Sequence, residues 1–325
     1  MTVLVTGISG LLGNNLVFLL LEKGYYVKGV ARNISNLPFG AHPRLMLIQS
    51  ELTADLSAHL KDTDCVMHVA ALTQQNILRY DEYHRVNHTA TALLAEGAIA
   101  AGVPQFIYVS TANTIGYGVQ QEDLKLPEDQ PMRKPFTHSF YARSKAAAED
   151  YLLQQTQKIK VHIANPTFMI GPYDKKPSSG AIILMGMRRR LLFYPPGGKN
   201  FVAVKDVAAG IEKMVHHGEN GRRYLLAGND NLSYRDFFKL LKSYTGQKQR
   251  MIAIPSLLLQ LAGYVGDLLR FFNVKTSLCT NNMRILRIKN YYNNTTSVRE
   301  LGLQYRDISH AIPESVTYFK KHFPR

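Results

Sequence analysis

The sequence has two cysteines, Cys65 and Cys279, and no tryptophan. Two cysteines cannot form a disulfide framework, so the fold must rest on a packed core, and a reducing compartment, the cytoplasm, is expected. Acidic residues are few: 24 face 39 lysines and arginines, a formal charge of +15. That surplus favours anionic ligands and surfaces through long-range attraction. The bases are scattered, apart from Arg188, Arg189 and Arg190, and accompany no nucleic-acid motif, so no nucleic-acid partner is expected. Long hydrophobic runs are also lacking. The stretch 254–272 is the most apolar, but Pro255, Gln260, Asp267 and Arg270 interrupt it, so it falls short of a membrane span. It reads as an amphipathic helix, which leaves peripheral membrane contact open. The first apolar run begins at Thr2, so no secretory leader is expected. His216 and His217 have no nearby ligand set, and no metal is expected.

What is present begins at once. Thr2 to Val5 is a β-branched and apolar run that reads as a buried strand, and it leads into TGISGLLG, Thr6 to Gly13. An apolar helix follows to about Lys23, closed by Gly24. In this strand, turn and helix, Gly7 allows a tight turn, Gly10 lets the backbone approach a pyrophosphate, and Gly13 lets the helix pack closely on the strand. Ser9, Leu11 and Leu12 complete the turn, where a helix N-terminus offers unpaired N–H donors and partial positive charge. The implied ligand is a dinucleotide.

Tyr26 to Val30 reads as the second strand, whose end meets the adenosine ribose in a fold of this kind. An acid there would bond both ribose hydroxyls. Arg32 stands there instead, and a guanidinium pairs with a 2′-phosphate, so NADP(H) is preferred over NAD(H). Glu51 and Leu52 follow the third strand, Leu45 to Ile48, and are placed to approach the adenine.

Strands and helices then alternate: a strand at Cys65 to Ala70, a long helix around Tyr80 to Ala101, a strand at Phe106 to Ser110, a helix from about Tyr141 to Gln155, and a strand at Val161 to Ala164. Such alternation predicts a doubly wound parallel sheet of the Rossmann type, with helices on both faces. From Asn165 onward prolines and glycines loosen the pattern, as where loops build a pocket. Residues 1–165, with 200–228 returning to them, are expected to form the dinucleotide-binding domain of an α/β protein. Residues 166–199 and 229–325 would form a smaller mixed portion for a small-molecule substrate.

The chemistry is carried by YARSK. Tyr141 and Lys145 are four apart and share a helix face, so the ammonium can lie beneath the phenol. A free phenol titrates near ~10, and a neighbouring cation lowers that value, making tyrosine a usable acid and base. Thr111, at the end of the strand Phe106 to Ser110, is placed to hold a substrate oxygen.

With these motifs the chain resembles the extended short-chain dehydrogenase/reductase family over almost its whole length. The residues that carry the likeness are TGISGLLG, YARSK, CVMHVAA at 65–71, VNHTAT at 86–91, FIYVST at 106–111, NPTFMIGPYD at 165–174 and FVAVKDVAAGI at 201–211. The resemblance implies that Ala70 and Ala71 line the cofactor cleft, that Asn87 steadies the central helix and strand, and that Pro166, Thr167 and Phe168 flank the nicotinamide. It also implies the triad Thr111, Tyr141 and Lys145, and a homodimer packed through two helices per subunit. Arg32 and NPTFMIGPYD look most like the branch of dihydroflavonol reductases and 3β-hydroxysteroid dehydrogenases, which act on ketones or secondary alcohols of bulky apolar molecules. Two positions depart from the family: ANTIGYG, after the triad threonine, is about one residue longer than usual, and Ala164 stands where an aromatic often precedes Asn-Pro.

Asn113, His138 and Tyr173 are the candidate substrate contacts, being close in sequence to the triad strand, the catalytic helix and the loop after NPTFMIGP. The runs 182–187 and 191–196 line an apolar cavity or are ordinary core. The leading reading is an NADP(H)-dependent reductase of an apolar ketone. The alternatives are a sugar-nucleotide epimerase or dehydratase, using the same triad but returning the hydride, and a non-catalytic dinucleotide sensor or assembly factor.

Overall fold

The computed structural model describes residues 1–119, 128, 130–188 and 190–323; Arg189, in the arginine run, lies outside them. Along the chain the strands are β1 (Thr2–Thr6), β2 (Tyr26–Ala31), β3 (Leu45–Gln49), β4 (Cys65–His68), β5 (Gln105–Val109), β6 (Lys160–Pro166), β7 (Phe168–Ile170), β8 (Leu191–Tyr194), β9 (Gly198–Ala203), β10 (Arg222–Leu226), β11 (Asp230–Ser233), β12 (Arg250–Ala253) and β13 (Lys289–Asn290). The helices are α1 (Leu11–Glu22), α2 (Ser57–Leu60), α3 (Tyr80–His84), α4 (Ala90–Ala100), α5 (Phe140–Leu153), α6 (Ala181–Arg188), α7 (Val204–His217), α8 (Tyr234–Thr245), α9 (Ser256–Phe271), α10 (Thr280–Ile285), α11 (Thr295–Leu301) and α12 (Ile308–His322).

The central sheet is the expected Rossmann-type layer. Seven parallel strands run in the order β10-β6-β5-β4-β1-β2-β3. Alternate side chains of each strand feed opposite cores. Val3 and Val5 of β1, with Ile107 and Val109 of β5, pack under α1 and α7, whereas Leu4, Phe106 and Tyr108 pack under α4 and α5. Full burial of each such side chain contributes roughly 1.5–3 kcal/mol, so both sheet faces are strongly held. The order reverses between β1 and β4, the position at which sheets of this kind bind ligands in a crevice at the carboxyl ends of the strands.

The long helix expected over 80–101 is interrupted. Residues Arg85–Thr89 form a single π-helical turn between α3 and α4, which widens the coil at the position of Asn87. Gly102 closes α4 at φ +70°, as its sequence position suggests. Beyond β6 a smaller layer forms, in which β9 pairs with β7, β11 and β13, and β8 pairs with β12. Its core gathers Ile182, Ile183, Met187, Leu192, Phe237 and Phe319, so the 182–187 run is core rather than cavity wall. Leu191 and Phe193 of the 191–196 run face outward.

Candidate active site

The opening turn is built by close backbone contact. Gly7, at φ +74°, donates to the Val30 carbonyl at 3.1 Å and lies so near the loop after β4 that a Cβ on it would stand 2.7 Å from Ala70 Cα. A Cβ on Gly13 would come within 2.2 Å of the Gly7 oxygen, whereas one on Gly10 would meet nothing nearer than 3.5 Å. Gly10 caps α1 without a side-chain acceptor, the first turn has no acid, and Ser9 is exposed beside it. The first N–H groups of α1, at Leu11 and Leu12, therefore begin a helix whose positive end has no capping side chain and no first-turn acid among the described residues. That cradle suits a diphosphate. Ala70 donates its N–H to Thr6 Oγ1 at 3.2 Å, and Ala70 and Ala71 are half-buried. Below them Thr6, His68 and Thr91 form a buried chain at 2.7 and 2.9 Å. Burial, with Lys145 nearby as a lesser cause, lowers His68 to about 3, so the ring is neutral.

Arg32 is exposed directly after β2 and forms no ion pair among the described residues. Glu51 is exposed and Leu52 half-buried just beyond β3, whose end pairs with the end of β2. The edge of the crevice thus offers a free guanidinium beside an acid and an apolar side chain.

The second group assembles at the carboxyl end of β5. Ser139 caps α5 by accepting from the Ala142 N–H at 3.3 Å, which sets Tyr141 in the first turn and Lys145 one turn below. The Tyr141 phenol lies near the Thr111 hydroxyl. Burial pushes Tyr141 up to about 12, with the nearby Thr111 hydroxyl pulling the other way. The neighbouring ammonium was expected to lower it. Lys145 instead donates to the Val109 carbonyl at 2.7 Å and lies 4.0 Å from the centre of the Tyr108 ring. Burial lowers Lys145 to about 7, and Glu149 opposes that shift. Removal from water is the largest influence on both groups.

Asn87 performs a bracing role. Its side chain accepts from the Leu72 N–H at 2.7 Å and donates to the Leu72 carbonyl at 3.1 Å and to Ser144 Oγ at 3.0 Å, joining the π turn, the strand-end loop and α5. Pro166 is buried at the end of β6. Thr167 donates to Asn200 Oδ1 at 2.7 Å, and Phe168 packs edge-on to Phe201 at 5.5 Å. Of the substrate candidates, Asn113 donates its N–H to Thr111 Oγ1 at 3.3 Å and so lies beside that residue. His138 is exposed in the turn before α5. Tyr173, at φ +71°, packs against Phe18 at 5.0 Å and Tyr318 at 5.6 Å, so its ring contacts are with α1 and α12 rather than with Thr111 or Tyr141.

Two charged residues escaped the reading of the sequence. Glu149 is 1% exposed and accepts from Ser110, from Thr114 at 2.7 Å, from Asn165 at 2.9 Å and from Arg223 at 2.8 Å, locking together the ends of β5, β6 and β10. Its signal was the spacing of four that continues Tyr141, Lys145, Glu149. Lys199, on β9, is buried with its ammonium 5.8 Å from the Phe136 ring and no ion pair among the described residues. Burial lowers it to about 8.

Comparison with known proteins agrees with this geometry. The sequence pattern of the NAD dependent epimerase/dehydratase family matches residues 3–227. Sterol demethylase protein B of Methylococcus capsulatus is 30% identical, over 99% of each chain. A protein of Synechocystis sp. named as a candidate dihydroflavonol 4-reductase is 29% identical, over 98% of this chain and 94% of its own. In fold, the chain matches dTDP-glucose 4,6-dehydratase from Streptomyces venezuelae, solved with NAD bound, with a TM-score of 0.78 at 22% identity over 99% of this chain and 97% of that one. The chain belongs to the NAD dependent epimerase/dehydratase family and is a nicotinamide-dinucleotide oxidoreductase of the extended short-chain dehydrogenase/reductase type.

Proposed function

We propose that the chain reduces a ketone, or oxidises a secondary alcohol, of a bulky and largely apolar substrate with NADP(H). The observation that carries the chemistry is the placement of Tyr141 and Lys145 one turn apart on α5, with Lys145 bonded to the last residue of β5 and Tyr141 near Thr111 just beyond it. The names of the dihydroflavonol and sterol relatives support the substrate class. Residues 1–165 with 200–228 would hold the dinucleotide, through Gly7 to Gly13 and Arg32, and residues 166–199 with 229–325 the substrate.

The nicotinamide, when bound, supplies hydride to the carbonyl carbon or removes it from the alcohol. In the reducing direction Tyr141 gives its phenolic proton to the substrate oxygen, Thr111 holds that oxygen by its hydroxyl, and solvent returns a proton to the phenolate. Lys145 favours the phenolate electrostatically while it is protonated. A homodimer would pair through α4 and α5, where Leu93 is exposed.

Tyr141→Phe tests this assignment. It should lower turnover by about 10²- to 10⁴-fold at unchanged cofactor affinity; a near wild-type rate would overturn it. Arg32→Asp should reverse the preference between NADP(H) and NAD(H) in a fluorescence titration. Unaltered preference would remove Arg32 from the reading.

A second reading, sugar-nucleotide epimerisation or dehydration, draws on Lys199, whose buried ammonium lacks an acidic partner among the described residues and would suit an anionic group on the substrate. Absorbance at 340 nm separates the two. A sustained change with added ketone supports the reductase, and turnover without net change supports the epimerase.

A further inference from the structure

Helix α9 has two contrasting faces. Leu259, Gly263 and Gly266 pack inward, and so closely that a Cβ on Gly266 would strike the Leu278 oxygen and one on Gly263 would stand 2.8 Å from Thr280 Cα. The small residues let the 278–283 segment lie directly on the helix. At 3.6 residues per turn, the exposed apolar side chains fall within an arc of about 160° on the other side. They include Leu257 at 64% exposed, Leu268 at 59% and Phe271 at 79%, with Leu261, Tyr264 and Val265 between them. An outward apolar face of this extent is unusual for a surface helix that meets only water.

The surroundings are basic. Residues 247–289 hold seven lysines and arginines against one acid, Asp267, which accepts from the Thr280 N–H at 3.1 Å. None of the seven is in an ion pair among the described residues. Where α9 meets α10, a pocket of about 130 Å³ is lined by Gln260, Tyr264, Thr280, Met283, Arg284 and Arg287. Thr280 Oγ1 is buried there without a hydrogen-bond partner. Two guanidiniums, a phenol and an unpartnered hydroxyl bordering an apolar face match a lipid phosphate whose acyl chains lie alongside.

We infer that the hairpin of α9 and α10 docks the protein on an anionic lipid bilayer. The 16 residues of α9 span about 24 Å, short of the ~30 Å hydrocarbon layer, and no described helix is long and apolar enough to cross a membrane, so α9 lies in the interface plane. Its outward face enters the headgroup boundary, and the pocket of Arg284 and Arg287 takes a headgroup phosphate. Arg270, near the end of α9, donates to the Gln75 carbonyl at 2.8 Å, in the loop between β4 and α3. The docked hairpin therefore stands next to the loop that Asn87 braces at Leu72. Delivery of an apolar ketone from the bilayer to the crevice rests on the proposed oxidoreductase reading; docking does not.

Vesicle flotation of the full chain tests docking alone. Vesicles of phosphatidylcholine with about one-third phosphatidylglycerol should retain the protein at least about tenfold better than pure phosphatidylcholine. Leu261→Glu with Leu268→Glu should abolish most retention, and Arg284→Ser with Arg287→Ser should bring it to the level of the neutral vesicles, both with unchanged cofactor titration. If the glutamate pair does not fold, Leu257→Gln should lower retention by itself. Absence of wild-type retention on the anionic vesicles overturns the inference. So does a dimer in light scattering that the glutamate pair turns to monomer, because a second copy would then cover this face.

Discussion

The Lys145 ammonium donates to the main-chain oxygen of Val109 at 2.7 Å, tying the helix that carries Tyr141 to the last residue of β5. If Lys145 acts through Tyr141, the two form one functional unit, and their losses do not add. Lys145→Met, whose thioether tolerates the Tyr108 ring, should lower turnover by about 10²-fold. The double variant with Tyr141→Phe should be no slower than Tyr141→Phe. Steady-state rates of the four proteins check this, and fully additive losses would show that Lys145 works independently.

Glu149 is expected to hold the site together more than Arg223 does. Ser110, Thr114 and Asn165 are buried donors to its carboxylate, whereas Arg223 is 31% exposed and its attraction is weakened by solvent. Glu149→Ala removes the oxygen that all three donors share and should cost about 2–4 kcal/mol of stability. Arg223→Met leaves the three buried donors in place and should cost about 1 kcal/mol. Urea unfolding measures both, and the reverse ranking would refute the assignment.

The parts legible from sequence were those whose function needs a local pattern. Glycines at 7, 10 and 13 after an apolar strand specify one turn, and every strand of the central sheet was foreseen except β10, whose polar start at Arg222 and Arg223 hides a strand that continues into Tyr224, Leu225 and Leu226. The π turn at Arg85–Thr89 was invisible because its residues continue a helical pattern; what favours it is the set of bonds Asn87 makes to Leu72 and Ser144, all distant in sequence. Burial of Tyr141 was equally hidden. A spacing of four reports that two side chains share a helix face, and carries no measure of how much water that face has lost.

Lys199 makes a prediction about pH. In the unfolded chain it titrates near its ordinary 10.5, and burial lowers it to about 8 in the fold. Below about 8 both states hold the proton and the full burial penalty stands. Between about 8 and 10.5 the unfolded chain binds more protons, so this group makes stability rise with pH. The gap corresponds to about 3 kcal/mol. Lys199→Met should therefore be more stable than wild type at pH 7 and should lose that upward slope. Urea titrations across the window decide it, and a variant less stable at pH 7 would contradict the buried, unpaired ammonium.

Gly10 and Gly13 should fail in different ways when replaced by alanine. At Gly13 the new Cβ would stand 2.2 Å from the Gly7 oxygen, a backbone atom that cannot rotate away, so Gly13→Ala must open the contact between α1 and β1. A stability loss of about 2–4 kcal/mol is expected, on the scale of overpacked cores. At Gly10 the Cβ would meet the same oxygen at 3.5 Å, an ordinary contact, and would otherwise project from the exposed start of α1. Gly10→Ala should keep stability within about 1 kcal/mol of wild type, yet weaken dinucleotide binding by about tenfold or more, because the methyl occupies the approach to the helix N-terminus. Thermal melts and fluorescence titrations of the pair separate the two roles. Equal affinity in Gly10→Ala and wild type would mean that the diphosphate does not approach the chain at this residue.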